Sequence, residues 1–237
     1  MRLALVVAAV GCTQPPPARP TPSAHTPSCI DRATLPGLDV STYQGAIDWA
    51  AVKAGGIEFA FIRLSHGIAE DKRFATNWVG AHDAGLVHGA YQFFRPTEDP
   101  IAQADLLLAK IGPLQRDELP PVLDIETADG QSPAQVVAGA RLWVDRVTTA
   151  LGRPPIIYTG FFFWRDNLGA AFDVAHAPLW HAQYTTEPCP RIPPPWTDWA
   201  FWQYTSKGRV AGIAGDVDLD RWHGDRASLD AFAGSIR

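Results

Sequence analysis

The residues in this chain best equipped for chemistry lie in the stretch Pro121-Val122-Leu123-Asp124-Ile125-Glu126-Thr127. An apolar run carries two carboxylates, two positions apart, at its C-terminal end. In an extended strand, side chains at i and i+2 share a face and sit roughly 7 Å apart along the chain. Asp124 and Glu126 therefore project together, while Leu123 and Ile125 pack on the other side. Two acids on one face of a buried strand repel each other and resist desolvation. Paired carboxylates of this kind serve glycoside hydrolysis, one protonating the leaving oxygen and the other handling the developing cation. The plain alternative is a strand end whose acids meet water or a basic partner, and the rest of the chain decides between the two.

The elements that must position these acids read as a repeating pattern. Gly37-Leu38-Asp39-Val40-Ser41 is a short strand ending in an acid, followed by a brief helix over Ile47 to Lys53 that Gly55-Gly56 stops. Strand composition recurs over residues 57–64, 87–94, 121–126 and 155–159. Helical patterns lie between them: Phe74 to Ala84, a segment opened by Asp99-Pro100, and one opened by Ser132-Pro133. After residue 159 the helix signals fade. Residues 178–184 and 199–205 read as strands joined by a Pro-rich loop at 188–195, and Val217-Asp218-Leu219 precedes a terminal helix near Ala227 to Phe232. About five β/α units followed by a strand-rich, helix-poor final third imply an α/β fold, a parallel sheet curling into a modified TIM-like barrel. Chemistry in such barrels gathers at the C-terminal strand ends. Asp39, Tyr91, Asp124, Glu126, Tyr158, Tyr184, Gln203 and Asp218 all fall at or near such ends.

Composition narrows the function classes. The 237 residues carry a net charge of −5, with acids and bases interspersed, so no basic face advertises nucleic acid. The hydrophobic share of 46% suffices for one sizeable core. Nine Trp suit either core or stacking on sugar rings. The seven His show no metal spacing, and Ser41 and Ser65 lack a nucleophile context.

Residues 1–11 form a minimal export signal: Met1-Arg2, the apolar run Leu3 to Val10, then Gly11 before Cys12. Ala9-Val10-Gly11-Cys12 resembles the lipobox of bacterial lipoproteins, which implies cleavage before Cys12 and lipid attachment to its sulfur. Residues 13–28 hold six prolines among Ser and Thr, so 12–35 reads as an extended linker and 36–237 as the folded domain. This predicts an exported, membrane-anchored lipoprotein facing the periplasm or cell exterior, touching the membrane through its lipid alone. In that oxidising setting a Cys29–Cys189 disulfide is feasible.

The motifs together resemble the lysozymes of glycoside hydrolase family 25, the Chalaropsis-type muramidases, across about residues 36–233. Gly37-Leu38-Asp39-Val40-Ser41 with Gln44-Gly45-Ala46-Ile47-Asp48-Trp49 looks like the opening motif. Gly89-Ala90-Tyr91-Gln92-Phe93, Leu123-Asp124-Ile125-Glu126, Ile157-Tyr158-Thr159, Trp180-His181-Ala182-Gln183-Tyr184, Trp202-Gln203-Tyr204-Thr205 and Val217-Asp218-Leu219 follow in order. The resemblance implies cleavage of the β-1,4 bond between N-acetylmuramic acid and N-acetylglucosamine in peptidoglycan glycan strands, with no metal or cofactor and with the protein acting as a monomer. It implies Glu126 as general acid, and Asp124, Asp39 and Asp218 as acids around the cleavage point. It implies Tyr91, Tyr158, Trp180, Tyr184 and Gln203 as the lining of the substrate groove. Two positions depart from the family pattern: His66 stands where relatives carry Glu, and Gln92 where they carry His.

Alternatives remain at this level. Asp216 competes with Asp218 for the fourth acid, and Asp220 flanks it on the same extended face. Trp49 and Trp143 read as core, Trp180 and Trp202 as core or groove, and His181 as surface. A lipid-anchored module that grips peptidoglycan without cutting it would use the same anchor and aromatic groove, and another N-acetylhexosaminidase would use similar acids.

Overall fold

The computed structural model describes residues 32–234. The predicted signal segment, Cys12, most of the Pro-rich linker and Cys29 lie outside the described residues. The elements run β1 (Leu35–Val40), α1 (Trp49–Ala54), β2 (Phe59–His66), β3 (Ala69–Glu70), α2 (Phe74–Asp83), β4 (Val87–Phe93), α3 (Pro100–Ile111), β5 (Val122–Asp124), α4 (Pro133–Leu151), β6 (Ile156–Gly160), α5 (Phe161–Phe163), β7 (Leu179–Ala182), β8 (Phe201–Gly208), β9 (Val217–Trp222) and α6 (Arg226–Ala233).

The nine strands form one sheet in the order β1-β9-β8-β7-β6-β5-β4-β2-β3, and a further β1–β2 pairing closes it. The two-residue β3 hangs off β2 as a hairpin, which leaves eight strands in a closed barrel. All pair in parallel except β9, which is antiparallel to both β8 and β1. Closure leaves no barrel edge to protect. The α/β barrel with a helix-poor last third is as the sequence implies. The inverted final strand was not anticipated. A β8–β9 hairpin needs no crossover helix, whereas the parallel β6–β7 and β7–β8 connections run through short helical turns and the Pro-rich loop in place of a full helix.

Alternation along the strands sorts side chains into two cores. Ala60, Ile62, Leu123, Ile125 and Ile157 face outward and share one core with Phe74 and Ala81 of α2 and with Val136, Ala140, Trp143 and Val147 of α4. Phe59, Phe61, Val122, Ile156, Trp180, Phe201 and Trp222 face inward, and Leu229 and Ala233 of α6 join them. Phe61 stacks on Trp180 with ring centroids 4.2 Å apart, and Phe59 and Phe201 meet edge-on at 5.2 Å. Gly37 makes this aromatic filling possible, because a Cβ there would lie 2.2 Å from the Phe59 ring.

The helix starts follow the cap residues the sequence supplied. Asp99 Oδ1 accepts from the amides of Ile101 and Ala102 ahead of α3, with Pro100 in its first turn. Ser132 and Gln135 form a capping box at α4, whose end is Gly152 in the left-handed region. The strand expected over 121–126 is shorter: its ladder ends at Asp124. The Ile125 amide still donates to Tyr158 O, but its carbonyl accepts from the Thr159 hydroxyl rather than from a backbone amide. The chain is thereby released from the sheet just where Glu126 begins.

Candidate active site

The strand ends raise a ring of carboxyls above the aromatic filling. β1 places Asp39 directly opposite Asp218 of β9. Like charges opposite one another on antiparallel strands destabilise a sheet, so this pairing serves something other than stability. Asp218 stands at the start of its strand rather than at a C-terminal end, a correction to the sequence reading. Inversion of β9 carries that start to the same rim as the C-terminal ends of its parallel neighbours. Asp124, at the last position of β5, pairs in register with Tyr158 of β6, and Tyr158 with Trp180 of β7.

A cleft of about 360 Å³ opens at this rim. Its walls include every one of the expected site residues: Asp39, Asp124, Glu126, Asp218, Tyr91, Tyr158, Trp180, Tyr184 and Gln203. They also include Tyr43, Arg63, His66 and Phe93, which the sequence reading did not assign to the groove. Tyr43 is 82% exposed, with the Arg63 guanidinium 5.0 Å over its ring. Its signal was the turn Thr42-Tyr43-Gln44 directly after the first acid-bearing strand, held by a Ser41–Gln44 capping box.

Asp216 forms an ion pair with Arg209 at 2.8 Å and is not part of the cleft wall, which leaves Asp218 as the cleft member. Trp180 forms the floor of the cleft rather than a stacking platform. It is buried, with its indole N–H donating to Asp220 Oδ1 at 2.8 Å. Trp202 is core, its N–H held by Gln183 O. His181 is neither surface nor groove: it is fully buried on the outward face of β7, with Nδ1 3.3 Å from Thr159 O. No Trp stands among the exposed large side chains, and Tyr43 and Tyr184 supply the open aromatic faces at the cleft. Cys189 is disulfide-bonded, and the expected partner Cys29 falls outside the described residues.

Hydrogen bonds organise the acids. Gln203 Nε2 donates to Asp39 Oδ2 at 2.6 Å, and its Oε1 accepts from the hydroxyls of Tyr158 and Tyr184 at 2.9 and 2.8 Å. Beneath them Asp220 is wholly buried beside Asp39, with which it shares a side-chain hydrogen bond, and among the described residues no N–H reaches its Oδ2. Burial, then Asp220 and Asp218, push Asp39 well above the usual carboxylate range, with the Gln203 amide pulling the other way. Burial and neighbouring Glu126 push Asp124 up likewise, and Arg63 opposes them. Glu126 keeps surface open to the cleft, yet the surrounding walls withdraw enough solvent to raise its pKa, and Asp218 adds to the rise. Burial also raises Asp218. The acids form one coupled set in which protons are held at pH values where free carboxyls have lost them.

An open-mouthed acid whose pKa is raised by its surroundings, flanked by further carboxyls at the end of a β/α barrel, is the construction of a glycoside hydrolase. The sequence model of Glycosyl hydrolases family 25 matches residues 38–213. The chain is 36% identical over 227 residues to Lysozyme M1 of Streptomyces globisporus, covering 90% of this chain and 76% of that protein. The crystal structure of the bacterial lysozyme from Streptomyces coelicolor superposes with a TM-score of 0.79 at 34% identity, covering 87% of this chain and 100% of that one. The structure of a family GH25 lysozyme from Aspergillus fumigatus does so with a TM-score of 0.78 at 30% identity, over 86% and 100%. The chain belongs to glycosyl hydrolases family 25 and is a glycoside hydrolase of the lysozyme type.

Proposed function

We propose that this cleft cuts the β-1,4 bond between N-acetylmuramic acid and N-acetylglucosamine, with Glu126 as the general acid. The observation that carries this reading is the placement of Glu126: just past the end of β5, open to the cleft, and raised in pKa by its walls and Asp218. A proton delivered from its carboxyl to the glycosidic oxygen lets the C1–O bond break. The positive charge left on C1 and the ring oxygen is stabilised by whichever of Asp39, Asp124 and Asp218 are ionised. Tyr43 and Tyr184 offer aromatic faces to the sugar rings at the mouth. Water then completes the hydrolysis at C1, and the carboxylate of Glu126 recovers a proton.

The protein acts outside the cytoplasm on the glycan strands of peptidoglycan, as a monomer held to a membrane through lipid on Cys12, with the Pro-rich linker setting its reach. Support for this comes from the order of export signal, lipobox-like Cys12 and linker in the sequence. Analysis of the new reducing ends tests the reaction: borohydride reduction after digestion should convert muramic acid, not glucosamine, to its alcohol. Reduced glucosamine at the new ends refutes the muramidase assignment.

A further inference from the structure

His66, at the last position of β2, lines the cleft and stacks on Phe93 with ring centroids 4.3 Å apart and planes 7° from parallel. Arg95 Nη1 lies 2.9 Å from His66 Nε2. A guanidinium only donates, so Nε2 must accept, and a neutral ring must then carry its hydrogen on Nδ1. Among the described residues, Nδ1 has no hydrogen-bond partner.

Arg95 is itself fixed. Its Nε is paired with Asp129, and its backbone amide donates to Gln103 Oε1 at 3.0 Å. Asp129 occupies the left-handed region at φ 48°, where its amide donates to the Thr127 hydroxyl and that hydroxyl lies 3.2 Å from Asp129 Oδ1. Thr127 directly follows Glu126. One hydrogen-bonded chain thus runs from the loop carrying the general acid through Asp129 and Arg95 to the His66 ring.

We propose that His66 presents its Nδ1–H to the bound glycan as a fixed, uncharged hydrogen-bond donor, selecting the sugar that places a hydroxyl or acetamido oxygen against this wall. The proposal rests on the reading of the cleft as a muramidase site. The groups around the ring favour the neutral form: burial, Arg95 and Arg63 lower its pKa, with Glu98 and Asp129 opposing. A carboxylate at this position would pair with Arg95 and offer the glycan only acceptors.

Three variants separate donation from packing. His66→Phe keeps the stack and loses both nitrogens, His66→Glu keeps an acceptor for Arg95 and loses the donor, and His66→Gln can accept from Arg95 while donating to substrate. We expect Phe and Glu to raise KM on a peptidoglycan-derived tetrasaccharide by about threefold to tenfold, the range of one neutral hydrogen bond, with kcat nearly unchanged. Gln should restore KM to within about twofold of wild type. Nitrogen-15 spectra of the substrate-free protein should show His66 as the Nδ1–H tautomer, and adding the tetrasaccharide to the Glu126→Gln protein should shift that proton. A Phe variant with wild-type KM, a Gln variant as weak as Phe, or an Nε2–H tautomer overturns the proposal. Failure of the muramidase reading shows itself separately, as wild-type protein that does not cut peptidoglycan.

Discussion

Gln203 of β8 reaches past β9 to donate to Asp39 of β1, Nε2 to Oδ2 at 2.6 Å. The bond opposes the burial and the neighbouring acids that drive Asp39 toward its neutral form. Gln203→Leu removes the donor and leaves Tyr158 and Tyr184 without their shared acceptor. The pKa of Asp39 then rises further, so a carboxylate that the proposed mechanism can use near C1 is lost from a wider range of low pH. We expect kcat/KM to fall by about tenfold to a hundredfold, the worth of a hydrogen bond to a charged group, and its acid limb to move to higher pH. The pH profile of kcat/KM checks this; an acid limb that stays in place contradicts it.

The buried acids also set how stability depends on pH. Asp39, Asp124 and Asp220 all have pKa values raised by folding, chiefly through burial. The folded state therefore holds more protons than the unfolded chain from about pH 4 upward. Stability is fullest below that pH and declines as pH climbs through the raised values. Asp220→Asn keeps an acceptor for the Trp180 indole and supplies an N–H to the adjoining carboxyls. Denaturant unfolding should show the variant gaining on wild type between pH 5 and pH 8, by about 1–3 kcal/mol at the upper end. A difference that does not change with pH contradicts the account.

Much of this site was legible because barrel strands obey a two-residue period. Asp39, Asp124, Tyr158 and Gln203 each follow a short β-rich run, and that placement alone puts them at one rim. Asp218 lines the cleft and Asp216 does not, but the inversion of β9 that brings Asp218 there depends on how the barrel closes, which no local pattern records. The same limit applies to Trp180 and His181, adjacent residues on β7. One faces the barrel interior and the other the helix layer, and only the register of β6 with β7 says which. Asp220 was seen merely as a neighbour of Asp218, since its burial comes from aromatic rings contributed by distant strands. Tyr43 and His66 escaped assignment because a side chain's access to a cleft is a property of the assembled walls.

The anchor is testable apart from the barrel. Cys12→Ser removes the sulfur that would carry lipid. The variant should move from the membrane pellet to the soluble exported fraction while clearing peptidoglycan at the wild-type rate in vitro. Retention in the pellet contradicts the lipoprotein reading.

The most direct test of the central claim is clearing of a purified peptidoglycan suspension by wild type and Glu126→Gln, side by side. The variant keeps the size and hydrogen-bonding capacity of the side chain but has no proton to give. Its clearing rate should fall by at least about a hundredfold, the usual contribution of a general acid, while it still sediments with the polymer. Clearing by Glu126→Gln at the wild-type rate would show that another group protonates the leaving oxygen.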